Sequence, residues 1–501
     1  LSRPGRVNIC FVMAIQIPTS RSLLDLAFDN TYARLPERLF ARVAPTPVRD
    51  PSTLLVNGPL ARLLSLDPDT LVSQAGADVL SGNVLPPGAE PIAMAYAGHQ
   101  FGGWSPRLGD GRAILLGEVV GLDGVRRDVQ LKGSGPTPFS RMGDGRAALG
   151  PVLREYIVSE AMAALGVPTT RALAAVATGE AVLREAPLPG AVLVRVATSH
   201  VRVGTFQYLA AQGDVGGVRA LADHVLARHY PEVAGDAQPY RALLDAIVGR
   251  VAPLVAQWQM IGFVHGVMNT DNMSVAGETI DYGPCAFMEA YDPATVFSSI
   301  DVRGRYAYGN QPAIAHWNLA RLAEAMFPLL GPDEDSAMAA AHDALAAYKP
   351  AYEAAWLDGM RHKLGLRIPS DGDLALAAAL LEAMHAARAD FTVTFRLLCD
   401  GPAAARPLFA AAPEAFDAWA ADWAPRLSPG SRDAMRAANP AVIPRNHRVA
   451  GALAAAHDGD LGPTHDLMSV LSRPYDDQPG FERFQLPAEP HEAVRQTFCG
   501  T

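Results

Sequence analysis

Between about residues 90 and 210 the apolar positions come in short runs with a period of two, which predicts strands rather than helices. "AILLGEVV" (113–120), the turn "GLDG" and "RDVQLKG" (127–133) read as a hairpin that puts Gln130 and Lys132 on one face. "AVLVRVA" (191–197) reads as a further strand. The period then changes: "GPVLREYIVSEAMAALG" (150–166) has a proline near its start, a glycine at its end and a stripe of Val152, Tyr156, Ile157, Met162 and Leu165. That is a helix, and it carries Glu155 and Glu160, either of which could reach back to the sheet. From 211 onward helices dominate, predicted at 217–230, 237–262, 313–330 and 374–398. Between "GFVHGVMNTDNMSV" and "TIDYGP" the chain is expected to form a loop and a hairpin around Gly277.

The remaining segments frame this middle. Residues 14 to about 85 read as a helical entry segment with Pro-rich joints, packed on the outside of the β lobe; after 400 an Ala-rich, Pro-broken helical tail leads to "TFCGT". The expected division is an N-terminal extension (1–85), a small mixed β lobe (86–210), a helical lobe (211–400) and a helical C-terminal extension (401–501). With Leu first and a methionine at Met13, residues 1–12 are expected to be an upstream addition to the fold. No internal repeat is visible beyond a doubled Gly-Asp-Gly-Arg.

Composition narrows the function. A chain of 501 residues with 49% hydrophobic and 19% charged residues has enough material for a large core. A net charge of −10 argues against nucleic acid or an anionic membrane as partner, and no apolar run is long enough to span a bilayer. Cys10, Cys285, Cys399 and Cys499 are too few and too scattered for a disulfide framework, which fits a reducing compartment. Lysine is scarce: Lys132, Lys349 and Lys363 stand against 39 arginines. Lys132 lies between the two Gly-Asp-Gly-Arg stretches, Gly109–Arg112 and Gly143–Arg146.

A β lobe followed by a helical lobe, with an Asn/Asp-rich loop in the second, suits a nucleotide cleft. Kinase chemistry uses a glycine-rich loop, a strand lysine paired to a helix glutamate, a loop asparagine and a D-F-G aspartate, in that order. Each has a candidate here. The first Gly-Asp-Gly-Arg is either a hairpin turn or a phosphate loop in which Arg112 adds charge-assisted bonds. Lys132 and a glutamate of the following helix would form the ion pair. In "HGVMNTDN" His265 and Asn272 have the kinase-loop spacing, and Asp281-Tyr282-Gly283 takes the D-F-G place. Val267 stands where the catalytic aspartate belongs. Asp271 is the nearest acid, either a base or a turn cap; Asn272 and Asp281 read as oxygen ligands for Mg²⁺, with Mn²⁺ as the alternative. His265 reads as a packed structural residue. Arg195 and Arg202 read either as surface arginines or as additional phosphate neutralisation.

Taken together, "FDNTYARLPERLFARVAPTPV" (28–48), "AYAGHQFGGWSPRLGDGRAILLGEV", "QLKGSGPTPFSRMGDGRAALGPVLREYIVSEAM", "HGVMNTDNMS", "TIDYGPCAF" and "TFCGT" resemble the selenoprotein O family of pseudokinase-fold protein adenylyltransferases over nearly the whole chain. The resemblance implies an α+β, protein-kinase-like two-lobed fold with N- and C-terminal extensions. It implies ATP bound in inverted orientation and AMP transferred to Ser, Thr or Tyr hydroxyls of protein partners. By motif, Gly109, Gly111 and Arg112 would contact the nucleotide, Lys132 would pair with Glu155, and Asp144 and Gly145 would also line the site. Arg195 and Arg202 would clamp phosphates, Asn272 and Asp281 would hold the metal, and Asp271 would accept the proton. Two rivals stand beside this: a kinase-like phosphotransferase, weakened by Val267, and a catalytically silent nucleotide-binding scaffold. One departure is visible. Where some members carry a cysteine in the activation segment that can pair with the C-terminal one, this chain has Ser298 and Ser299, while Cys499 is kept; Cys285 reads either as its partner or as an inert packed thiol. The family and the composition imply the bacterial cytoplasm.

Overall fold

The computed structural model describes residues 26–498. The start at 1–12, Cys10 and Cys499 therefore lie outside the described residues. Around one antiparallel sheet the strands run in the order Phe40–Arg42, Ile92–Met94, Ala113–Val120, Arg126–Lys132, Pro187–Ala197, Arg171–Leu183 and Ser52–Val56. The predicted hairpin is present, with Ala113 opposite Lys132 and Leu115 opposite Gln130. On the other side of the same strand Arg195 lies opposite Gln130, and Leu193 opposite Lys132. Alternation then sorts the side chains. Val129 and Leu131 join a buried apolar cluster with Leu60, Leu80, Leu116, Val192 and Val194, while Gln130, Lys132 and Arg195 point to the opposite face.

Helix Leu149–Ala164 packs across that opposite face, and its far side is buried under helices Asn446–His457 and Gly462–Leu471 through Ile157, Ala161, Val449 and Leu467. The helix that supplies Glu155 is thus held from both sides. The helices Val215–His229, Pro239–Met260 and Gln311–Met326 lie close to the predicted ranges and share one large core. No helix among the described residues is long and apolar enough to cross a membrane.

Three expectations need correction. The entry segment is neither wholly helical nor peripheral: Phe40–Arg42 and Ser52–Val56 form the two edges of the central sheet. The predicted helix 374–398 is two helices, Asp373–Ala387 and Phe391–Leu398. Arg388 turns left-handed with φ +54°, and the Asp390 side chain then accepts a bond from Val393 N at 2.8 Å, which starts the second helix. Gly277 does sit in a turn, at φ +76°, but the arms of that turn do not pair with each other. Ser274 bridges Arg202 and Thr279 bridges Thr169, and the loop is closed by strands Phe263–Val264 and Ala286–Phe287.

Candidate active site

The register and the helix together gather charge at one place. Lys132 Nζ lies 2.5 Å from Glu155 Oε2 and 3.8 Å from Asp281 Oδ1. Arg195 Nη2 is 2.5 Å from Glu155 Oε1 and 2.8 Å from Asp281 Oδ1, while Arg195 Nη1 donates to Gln130 Oε1 at 3.3 Å. Arg202 closes the cluster, with Nη2 at 3.2 Å from Asp281 Oδ2, Nη1 at 3.3 Å from Asp110 Oδ1 and its guanidinium 4.3 Å from the Tyr96 ring centre. Arg195, Arg202, Asp110 and Glu155 are buried, so three cations and three carboxylates share one poorly solvated space.

Burial is the largest influence on each proton affinity here; the neighbouring charges together overcome it at the two carboxylates but not at Lys132. Burial pushes the Glu155 carboxyl up, but Arg195 and Lys132 outweigh it and hold it below its ordinary value. Asp281 is held well below the usual range because Arg195, Arg202 and Lys132 together overcome its burial. Lys132 is lowered by burial, against the pull of Glu155. Asp281 itself adopts φ +64°, a left-handed conformation that a non-glycine residue rarely takes.

The loop 263–272 stands beside this cluster. His265 is buried against Trp258 and Phe263, with Nε2 within 3.0 Å of the Ile280 carbonyl, which suits a structural part. Asn272 donates its amide to the Val267 carbonyl at 2.9 Å, which leaves its side-chain oxygen for another partner. Asp271 is buried; its Oδ2 accepts from Gln100 Nε2 at 3.3 Å, whereas Oδ1 has no hydrogen-bond partner. Burial raises this carboxyl to about 6. Among the described residues no group of three His, Cys, Asp or Glu side chains could hold a metal unaided. Asn272 and Asp281 offer two hard oxygens, a donor set that fits Mg²⁺ provided phosphates and water fill the other positions.

The first Gly-Asp-Gly-Arg is not a hairpin turn. It runs beside Met94–Tyr96 and is roofed by residues 137–140: Thr137 Oγ1 donates to the Asp110 carbonyl at 2.7 Å, and Ser140 Oγ to the Gly111 carbonyl at 2.5 Å. Gly109, at φ +71°, has the Phe139 ring where a Cβ would stand. Arg112 lines, with Lys132, Arg154, Glu155, Tyr282 and Phe498, a cavity of about 300 Å³. Asp144 stands apart from the cluster. It is bonded to Arg184 at 2.8 Å and to its own loop at Arg146 N at 2.9 Å, while Gly145 backs onto Gly135. Glu160, the other glutamate on the helix, pairs with Arg171 at 2.6 Å, at the start of the strand Arg171–Leu183.

Asp110, Tyr96 and Gln100 carry no signal for the site in the sequence. Asp110 lies inside a quoted motif but reads there as a turn residue; its Oδ2 also accepts from Met94 N at 3.1 Å and Gln130 Nε2 at 3.2 Å. Nothing local marks Tyr96 or Gln100, because their roles depend on partners about a hundred residues or more away. Cys285, by contrast, is buried, as the packed-thiol reading expects, and burial raises its thiol to about 11.

Known proteins extend this picture. The family described as "Protein adenylyltransferase SelO" matches residues 22–472. A protein named "Protein nucleotidyltransferase YdiU" from Rhodopseudomonas palustris (strain BisB5) is 60% identical over 487 residues, covering 95% of this chain and 99% of the relative. Proteins of the same name from Methylorubrum populi and Rhizobium etli are 62% and 59% identical, with 95% and 98% of this chain covered and 99% and 100% of the relatives. With a match over most of its length and relatives this similar, the chain belongs to the SelO family of protein adenylyltransferases and is a nucleotidyltransferase.

Proposed function

We propose that this protein transfers AMP from ATP to Ser, Thr or Tyr hydroxyls of other proteins, with the triphosphate turned so that its terminal phosphate lies inward. The observation that carries this reading is the convergence of Lys132, Arg195 and Arg202 on the single carboxylate of Asp281. Glu155 and Asp110 bring the count to three carboxylates against three cations, so a metal ion drawing on Asp281 would free the cations that Asp281 now holds for a polyphosphate tail. Arg195 and Arg202 are buried deeper than Lys132, so the end of the tail carrying most charge would be the inner one. In this reading Gly109, Gly111 and Arg112 flank the nucleotide, and Asp144 and Gly145, whose loop is held by Arg184 and Gly135 apart from the charge cluster, would border the site. Asn272 and Asp281 would hold Mg²⁺, which supplies charge neutralisation on the phosphates.

The chemistry uses groups that the chain itself offers. The acceptor oxygen attacks the α-phosphorus, the bond from that phosphorus to the bridging oxygen breaks, and pyrophosphate leaves with the electron pair. The hydroxyl proton passes to Asp271 Oδ1, a buried carboxylate oxygen with no hydrogen-bond partner among the described residues. Glu155 and Asp110 keep the cations in position. Val267 leaves the usual kinase base position without a base, which supports adenylyl over phosphoryl transfer. The kinase-like two-lobed arrangement and a place in the bacterial cytoplasm belong to the same reading.

Acceptor protein incubated with Mg²⁺ and ATP labelled at either the α- or the γ-phosphate tests it. Label from the α-position alone is expected. Label from the γ-position alone would make the protein a phosphotransferase, and no label from either would leave a nucleotide-binding scaffold.

A further inference from the structure

We infer that residues 298–305, with Trp104, form the seat of the acceptor polypeptide and select a segment in which acidic residues accompany an apolar one. This rests on the adenylyl-transfer reading and adds to it the class of acceptor. The loop is firmly built. Asp301 is buried, and its carboxylate is used up on the loop's own backbone, accepting from Arg305 N at 2.9 Å and Tyr306 N at 2.7 Å. Tyr306 in turn donates from its hydroxyl to Asn269 Oδ1 at 2.6 Å, and Phe101 N donates to the same oxygen at 3.0 Å. Asn269 directly precedes the turn Thr270–Asn272 that carries Asp271, and its carbonyl accepts from Asn272 N at 2.9 Å. The loop, the hairpin 98–105 and the turn with the proton acceptor are therefore one connected unit. From behind, the segment near the C-terminus braces it: Thr497 N donates to the Phe297 carbonyl at 2.8 Å and Ser299 N to the Thr497 carbonyl at 3.0 Å.

What this unit shows to solvent is unusual for a loop held so well. Ile300 is 57% exposed, Val302 88% and Trp104 43%. Scattered exposed apolar residues need no explanation, but Ile300 and Val302 flank a buried aspartate that fixes their direction, and Trp104 lies on the hairpin tied to the same unit through Phe101 and Tyr306. The charge beside them is also unbalanced. Among the described residues neither Arg303 nor Arg305 has a carboxylate at ion-pair distance, although the whole chain is acidic by 10 charges. Arg305 is instead stacked 4.8 Å from the Trp317 ring centre and 5.7 Å from that of Tyr306. An acidic acceptor segment supplies the missing carboxylates, its apolar side chain covers Ile300 and Val302, and its hydroxyl residue reaches Asp271.

A synthetic peptide library with a central Ser, Thr or Tyr and varied flanks, incubated with Mg²⁺ and α-labelled ATP, reads the preference. Acidic flanks are expected to raise incorporation roughly threefold to tenfold over basic ones, in line with exposed charge pairs. Arg303→Glu, alone and combined with Arg305→Glu, should shift the preference to basic flanks while KM for ATP stays unchanged. Ile300→Ser with Val302→Ser should raise KM for peptide with kcat preserved. A preference untouched by charge reversal, or a rise in KM for ATP alone, overturns the seat; the second outcome would assign the arginines to phosphate. Fluorescence anisotropy with a labelled acidic peptide and its lysine counterpart separates this from the reading beneath it. Selective binding of the acidic peptide without α-label would overturn adenylyl transfer and keep the seat. Equal binding of both peptides by an enzyme that does incorporate α-label would overturn the seat alone.

Discussion

Lys132 and Arg202 each contribute a fixed charge to the pocket, and each is positioned by a buried carboxylate, Glu155 in one case and Asp110 in the other. Removing either charge is expected to lower transfer by roughly 10²- to 10³-fold, the usual loss when one preorganised donor to developing charge is removed. Steady-state assays of Lys132→Ala and Arg202→Ala, with Lys349→Ala as the comparison, test this; Lys349 is 80% exposed and should leave the rate unchanged. Wild-type turnover in Lys132→Ala would remove that lysine from the site. The Lys132 pair is legible in the sequence because strand alternation and a following helix bring a lysine and a glutamate together by local rules. Periodicity alone does not say which glutamate, since Glu155 and Glu160 lie on the same helix; the family resemblance names Glu155, and in the fold Glu155 meets Lys132 while Glu160 meets Arg171. Asp110 is harder still, since three of its partners, Met94, Gln130 and Arg202, come from separate stretches of chain.

At the scale of elements, the hairpin 98–105 lies over the turn that holds Asp271, and Gly98 is where they touch. A Cβ at Gly98 would overlap Asp271 Oδ1 and come within 2.9 Å of Leu108 Cδ1. Its φ lies outside the left-handed region, so alanine is acceptable to the backbone and only the contact is at stake. Gly98→Ala should therefore push the carboxylate aside and lower kcat by about 10-fold or more, as sub-ångström misplacement of a catalytic group does. KM for ATP and the thermal midpoint should change little; single-turnover transfer beside a melting curve checks all three. This contact has no signature in the sequence, where Gly98 looks like any turn glycine. The same limit explains the misread elements. Phe40–Arg42 and Ser52–Val56 are too short to show a period, and they are strands only because the exposed edges of the sheet offer them partners. The break at Arg388 is likewise invisible to apolar spacing, which continues across it, and is fixed by the Asp390 cap and the ion pair of Asp390 with Arg445 at 2.8 Å.

Over the whole molecule, the stability carries a pH dependence that comes from one unexpected place. Lys363 is only 3% exposed and lies beside Met360, Leu364, Phe391 and Phe395 of one apolar cluster, with Nζ 4.2 Å from the Phe395 ring centre and 5.4 Å from that of Phe391. Burial lowers its ammonium to about 7, against a slight upward pull from Cys399. The unfolded chain therefore binds this proton more tightly than the folded one between about pH 7 and 10.5. Because the unfolded state holds the extra proton there, stability gains from this lysine as pH rises through that window, at roughly 1.4 kcal/mol per pH unit, and the gain is absent below it. Lys363→Met keeps the length of the side chain and removes the charge. At pH 6 it should be more stable than the wild type by a few kcal/mol, and the difference should shrink steadily towards pH 10. Urea unfolding of both proteins across this range measures the difference directly, with every other titrating group cancelling between them. A constant difference would mean that the Lys363 ammonium is solvated in the folded protein. Transfer activity should not track this titration, because Lys363 belongs to the helix Tyr348–Leu364 and makes none of the contacts that assemble Lys132, Arg195 and Arg202 around Asp281.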